Sequence, residues 1–574
     1  MQGMRYWLPW SNPVFLRYAR SRLRLGILIP MALVTIVGTA FFFLLAYILA
    51  RRVGWSVPDA ARLTLIPVFL IQGVLLMLGG AAGVAVGITR EADEGIMDYQ
   101  RLTPMPAGSK ILGYLLGLPV RAWVLFGLTV PFTVFGAVAG QVPLDSLSKV
   151  YGVFFSSVLL YHLTGLVAGS VVRRSWIAAL VSVIMVLLLY FLLPFLARIG
   201  YVFFDYLTVR PVVLEQWPDL LPDPIRGPAV DFLRTLIPSV PFFGKDVSRW
   251  AFSLVVQGSL IFVFLVVVLR KWKNPVSHPL GKHFAVLVLA WFVALLLGNA
   301  LPLVEDGRIF PSISLQLEQR LPGFGGRRAL PGEALGLAGF FGLVSLGLVL
   351  GMVFAITPSQ DENLRGLRRM RKLGLGRAPM GSDGAGAQGH ALLMALLGMA
   401  AWLIFVWELF HSGRAPAVSF SLSGYAFLAL VFLMLTASAH AVLEIWGRTW
   451  FLLAGLFAWI VPCLGAILLG TASSSLVTGG IYLTSLSGLA LPFYAVIAPA
   501  GKGIVPASQL PHLRAACAVS FVLYAAVTAT LLWRLRREHG LRRLRTAVAD
   551  LEGGDPLAGT ASVLGRLEKK FESL

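Results

Sequence analysis

Cysteine and charge are what this chain has least of. Its 574 residues hold two cysteines, Cys463 and Cys517, both inside apolar runs, which excludes a disulfide framework and a cysteine metal site. Only 13% of the residues are charged while 57% are hydrophobic, too little polar surface to cover a soluble protein of this length. Acids are scarcer still, 27 against 48 lysines and arginines, for a formal net charge of +21. A phosphate-binding loop of the form GxxxxGK[ST] is also missing. The nearest match, "HPLGKHF" at 278–284, lacks both the leading glycine and the Ser/Thr that would hold magnesium. No Ser/His pair, HExxH or paired-Asp arrangement suggests a catalytic cluster, so neither a catalytic site nor a bound cofactor or metal is expected.

What is present is a series of apolar runs long enough for a helix to cross a bilayer. The expected spans are 27–50, 63–88, 111–137, 150–171, 176–204 and 250–270, then 284–304, 335–356, 390–410, 424–446, 450–471 and 512–533. Arg17, Arg20, Arg22 and Arg24 precede the first, which reads as an uncleaved span rather than a signal peptide. A thirteenth run at 479–501 would reverse the tail. Lysine and arginine in short loops stay on the cytoplasmic side, and the basic segments fall together only with twelve spans. These segments are the N-terminal arginines, Arg173 and Arg174, "RKWKNPVSHPLGKH", "ENLRGLRRMRKLGLGR" and the tail from "RLRREHGLRRLR". Residues 479–501 therefore read as a re-entrant hairpin broken by Gly488 and Pro492, and both termini as cytoplasmic. Arg51, Arg52 and Arg62 run against this orientation. The expected setting is the cytoplasmic (inner) membrane, where the basic excess meets anionic lipid headgroups rather than nucleic acid.

Three short strings recur in order. "NPV" occurs at 12–14 and 274–276, "GVAVGIT" at 83–89 pairs with "GMVFAIT" at 351–357, and "RSW" at 174–176 pairs with "RTW" at 448–450. Their offsets of about 262, 268 and 274 residues drift as small insertions would make them drift. The chain thus reads as an all-α polytopic membrane protein of about 12 spans in two parallel six-helix halves, each with an external segment or hairpin before its last span. The expected boundaries are 1–270, 271–533 and a basic cytoplasmic tail at 534–574, reading as a short surface helix followed by a mobile end after a Gly-Gly-Asp-Pro break.

One short segment stands against the basic background. "TREADEGIMDYQRLTPMPAGSKILGYLL", residues 89–116, places Glu91, Asp93, Glu94 and Asp98 in the loop after span two. On a helix Glu91, Glu94 and Asp98 fall at i, i+3 and i+7 and line one face, with Ile96 and Tyr99 toward another. Pro104 and Pro106 end it. The expectation is a short cytoplasmic surface helix, about 90–104, with a solvent-facing acidic side; a loop whose acids merely keep it wet is the plainer alternative.

This segment resembles the coupling-helix region of type-2 ATP-binding-cassette exporter permeases, in which a Glu-rich, Gly-containing helix is followed by a Thr-Pro turn and a lysine opening span three. The matching positions are Glu91, Glu94, Gly95, Thr103, Pro104 and Lys110. "NPVFLRYARSRLR" at 12–24 is similar to that family's amphipathic connecting helix. The resemblance implies that residues 90–104, with Asp98 among the acids, dock on a separate ATPase. That partner would bind ATP and magnesium, two copies pairing with the two fused halves. The second-half loop, "TPSQDENLRGLRRMRKLGLGRAPMGSDGAGAQGH" at 357–390, keeps Asp361 and Glu362, with Arg365 in a weakly amphipathic helix, and "APM" at 378–380 echoes "TPM". It is otherwise basic, and reads either as a second, unequal coupling contact or as an ordinary positive-inside loop. The implied function is an ATP-driven permease working by alternating access or lateral gating between the halves; a secondary transporter and a membrane-embedded enzyme or scaffold are the alternatives. The mostly apolar lining suggests a lipid, hydrophobic drug or lipid-linked glycan, and the resemblance admits polysaccharides and peptides as well.

Polar residues inside spans complete the list of candidates. Arg121 in span three and His162 in span four are the expected intramembrane polar contacts, while Arg198 and Glu408 lie toward external ends. His440 and Glu444, four apart, suit a local hydrogen bond better than a metal.

Overall fold

The computed structural model describes residues 6–172, 174–192, 196, 201–224, 242–245, 247–306, 331–374, 379–411, 420–472 and 477–551. Arg173, Arg198, Ala378 and the Gly-Gly-Asp-Pro break at 553–556 lie outside them. The described residues are helical apart from turns, loops and one isolated bridge between Phe242 and Lys245. Two compact units divide between Ser277 and His278.

The first unit opens with α1 (Pro13–Arg22), followed by α2 (Leu25–Arg52) and α3 (Val57–Asp93). Asn12 caps α1: its side chain accepts from the backbone N–H of Val14 and Phe15, and Pro13 occupies the first turn, where no N–H is needed. α3 contains a π-helical stretch, Val74–Gly80. Then come α4 (Ile96–Leu102), α5 (Ala107–Gly117), α6 (Val120–Ala139), α7 (Leu144–Val171) and α8 (Ser175–Phe191). Two short helices, α9 (Arg210–Glu215) and α10 (Trp217–Leu220), precede α11 (Arg249–Lys273).

The second unit holds α12 (Lys282–Asp306), α13 (Pro331–Ile356), α14 (Gln360–Lys372), α15 (Gln388–His411), α16 (Leu422–Trp446) and α17 (Arg448–Leu469). It ends with α18 (Val477–Ser485), α19 (Leu491–Ala500) and α20 (Leu510–Leu551).

Among the described residues eleven helices are long and apolar enough to cross a membrane: α2, α3, α6, α7, α11, α12, α13, α15, α16, α17 and α20. Their apolar side chains are extensively exposed: α17 presents Leu452, Phe457, Leu464 and Leu468 at 55–69% of the fully accessible area. Water would not tolerate such faces and hydrocarbon does. The chain is an all-α, multi-pass membrane protein.

Two expected boundaries shift, and of span five the structure describes the helix Ser175–Phe191, while 193–195 and 197–200 of the expected 176–204 lie outside the described residues. Span three is divided, α5 ending at Gly117 and α6 beginning at Val120, because Pro119 supplies no N–H to continue the ladder. The last helix passes straight through the expected boundary at 534, running 42 residues from Leu510 to Leu551. Glu444 holds that extension: its carboxylate takes a 2.7 Å hydrogen bond from His539, and its backbone carbonyl takes one from Arg542 at 3.2 Å. Residues 479–501 form two short helices, α18 and α19, with the break at 486–490 around Gly488 and Pro492 opening the second.

Candidate functional site

The acidic segment is built on a small core at one end of the first unit. α1 lies against α5 because glycines clear its path. A Cβ on Gly113 would meet Asn12 Oδ1 and Val14 Cβ at 2.7 Å, and one on Gly117 would meet Tyr18 at 3.1 Å. Asn12 Nδ2 also donates to the Ser109 carbonyl at 2.8 Å, tying the cap to the start of α5. Val14, Tyr18, Val84, Ile88, Ile111, Tyr114 and Trp272 form the buried cluster beneath, and Met97 and Met105 pack onto it from the acidic segment.

Glu91 belongs to this core. It is 4% exposed, and its carboxylate accepts from the hydroxyls of Tyr18 and Tyr114 and from the Arg17 guanidinium at 2.5 Å. Burial pushes the Tyr18 hydroxyl far above its usual pKa, so it stays a donor. The reading of Glu91, Glu94 and Asp98 as one solvent-facing row is therefore corrected: Glu91 turns inward while Glu94 and Asp98 are exposed. The reason is a break in the helix. α3 ends at Asp93, Gly95 adopts φ +70°, and α4 restarts at Ile96 in a new direction.

α4 projects from this base. Asp98 pairs with Arg101 one turn on, and Tyr99 (69%) and Leu102 (85%) stand in the open. Thr103 turns extended before Pro104, and its hydroxyl bonds the Gln100 carbonyl at 2.8 Å. Lys110 locks the far end. Its buried ammonium donates to the carbonyls of Gln100 and Thr103 at 2.7 and 2.9 Å, supplying the partners that the last turn of α4 lacks. Burial lowers the pKa of this lysine. Lys110→Met is expected to cost ~2 kcal/mol, since bonds from a charged donor to backbone are lost together. Limited proteolysis in detergent micelles should then cut within 94–104 faster than in the native chain; equal rates would contradict this capping role.

The second-unit loop is a firmer helix than its sequence suggests. Ser359 and Glu362 form a capping box: the Ser359 N–H donates to Glu362 Oε2 at 2.8 Å and the Glu362 N–H to Ser359 Oγ at 3.3 Å. The S-x-x-E spacing carried that signal. Burial alone would raise the Glu362 pKa, but these bonds and His278 outweigh it and the net is below the usual value. His278 faces Glu362 at 3.3 Å and is itself held below its usual pKa by burial. Gly366 and Gly384 nearly touch, a Cβ on either meeting the other's Cα at 2.8 Å, which gives the glycine-rich stretch its purpose. Asp361 and Arg365 are exposed.

The intramembrane candidates are occupied within the fold. Arg121 donates from Nε and Nη2 to the Arg22 carbonyl at 3.3 and 3.0 Å, closing the last turn of α1. His162, 1% exposed, meets the Leu76 carbonyl through Nε2 at 2.9 Å, inside the π-helical stretch whose altered ladder leaves carbonyls to be satisfied. Glu408 is half-buried. His440 and Glu444 stand 3.6 Å apart, and the closer partner of Glu444 is His539. Among the described residues no group of three His, Cys, Asp or Glu is placed to hold a metal. That Tyr18, Tyr114 and Arg17 are the partners of Glu91 escapes sequence reasoning, because no local spacing links them to it.

Compared with protein-family models, curated proteins and solved structures, the chain matches none.

Proposed function

We propose that the chain is the membrane-spanning permease of an ATP-binding-cassette transporter, an exporter driven by two separate ATPase subunits that bind ATP and magnesium. The observation that carries this reading is α4: a short helix outside the spans, seated on the buried core through Met97 and Met105 and closed by Lys110, with acids, Tyr99 and Leu102 left exposed. Force reaches a membrane domain only through a contact that does not yield, and an exposed mix of carboxylates and large apolar groups suits a basic groove on a soluble partner. In this reading Glu94 and Asp98 face the ATPase, Gly95, Thr103 and Pro104 shape the helix ends, and Glu91 is the brace behind them. α14, with Asp361, Glu362 and Arg365, is the second contact, of opposite charge character. The two halves have a further likeness that favours a repeat: an acid at or just beyond the end of the second span's helix meets a base from before the first, Glu91 with Arg17 and Glu362 with His278. The basic loops and both termini face the cytoplasm of an inner membrane.

The test is whether an ATP-binding-cassette ATPase is encoded beside this chain, copurifies with it and hydrolyses ATP faster in its presence. The double change Glu94→Lys/Asp98→Lys is expected to abolish both while leaving thermal stability unchanged, because neither side chain is buried. Undiminished association and stimulation would count against the coupling role.

A further inference from the structure

A cavity of about 400 Å³ lies wholly within the first unit. Leu65, Phe69 and Met77 of α3, Phe154 of α7, Val186 of α8 and Val213 of α9 line it, and the short helices α9 and α10 close one wall. The polar groups in the lining are mostly engaged with each other or with neighbours. The Tyr151 hydroxyl donates to Gln72 Oε1 at 2.5 Å, Gln72 Nε2 donates to Thr133 at 2.9 Å, and the Tyr190 hydroxyl rests on Met77 Sδ at 3.3 Å. A space so lined gives water too few partners and takes hydrocarbon. One lining group differs: the indole Nε1 of Trp217 is buried and has no hydrogen-bond partner among the described residues, which a buried tryptophan N–H usually finds. Lining residues Ile66, Leu70, Val74 and Phe191 are 41–80% exposed, so the cavity opens through the apolar outer face of α3 and α8. In a bilayer that face meets acyl chains, and the occupant enters sideways from the membrane.

Size agrees. A dry cavity of about 150 Å³ accepts the six carbons of benzene, so 400 Å³ accommodates roughly sixteen. We propose that this cavity holds one acyl chain of a membrane phospholipid, with the Trp217 N–H donating to the ester carbonyl of that chain. The proposal does not depend on the ATPase reading, and its test uses no ATPase.

The full chain would be reconstituted in phosphatidylethanolamine–phosphatidylglycerol vesicles containing a phospholipid with a diazirine on one ester-linked acyl chain, illuminated, and its peptides mapped by mass spectrometry. Label should concentrate in 65–78, 150–154 and 209–221, several-fold above that on α17, whose outer face reports bulk lipid. Gly73→Leu fills the cavity without disturbing the fold: Gly73 lines it, has helical φ (−60°), and a Cβ there meets nothing within 4 Å. This change should lower the cavity label several-fold. Gly127→Leu, equally unobstructed on the exposed face of α6, should leave it unchanged. Trp217→Phe should lower labelling by the ester-linked probe and not by its ether-linked analogue. Cavity label no higher than that on α17, or an equal response to Gly73→Leu and Gly127→Leu, would overturn the site; equal behaviour of ester and ether probes would overturn the role of Trp217.

Discussion

Glu91→Ala should release the N-terminal helix from the body of the first unit, at a cost of ~3 kcal/mol. The one carboxylate accepts from Tyr18, Tyr114 and Arg17 together. Tyr18 is 6% exposed and Tyr114 fully buried, so removal strands two hydroxyls away from water and leaves a guanidinium uncompensated. The upper range for breaking a buried pair does not apply, because the Arg17 side chain is 41% exposed and solvent screens part of its charge. Glu91→Gln keeps an acceptor and should cost about half as much. Trypsin cleavage at Arg17, Arg20 and Arg22 in detergent micelles, together with the thermal midpoint, measures the effect. If α1 stays as protected and the midpoint unmoved, Glu91 is not the brace. The same measurements on Glu94→Lys/Asp98→Lys should show no change, which separates support of α4 from recognition by it.

The second large effect is expected at Gly169→Leu. Gly165 and Gly169 sit one turn apart on α7, over Ala81 and Ala85, equally spaced on α3. A Cβ on Gly169 would stand 2.6 Å from the Ala85 carbonyl oxygen, and one on Gly165 would stand 2.5 Å from that of Ala81. Both obstacles are backbone, so no rotamer change relieves them; the helices must separate. The Thr89 hydroxyl, which donates to the Gly169 carbonyl at 3.1 Å, would then lose that partner. Lipid offers no hydrophobic drive between helices, so close packing of small residues is what holds this pair. A cost of ~3 kcal/mol or more is expected, read as loss of monodisperse protein on size exclusion in mild detergent. Gly152→Leu, on the same helix but with nothing within 4 Å of its Cβ, should elute as the native chain does. Equal behaviour of the two variants would refute the close-packing argument.

How legible was this in the residues? The membrane class was, because a bilayer requires long apolar runs and these are visible one residue at a time. So were the turns at Gly488 and Pro492, which act through their own backbones. The acidic segment was legible in part. Its proline stop and its glycine were local signals, yet a periodicity argument assumed that one helix ran through Gly95. The left-handed backbone there turns the chain, and Glu91 parts company with Glu94 and Asp98. Arg121 and His162 are costly residues to place inside a span, but cost alone says nothing of the partner, which is a backbone carbonyl in both cases.

The sequence by itself determined the solvent this chain lives in, the approximate spans, and the absence of a phosphate loop, since each depends on composition or on neighbours within a turn or two. Tertiary structure alone decided which acid is a brace and which is free. Glu91 meets Tyr18 across 73 residues and Tyr114 across 23, and Glu444 meets His539 across 95, carrying α20 past the point where its apolar run stops. Such pairs are set by where separate helices come to rest, and no period within a single helix encodes them.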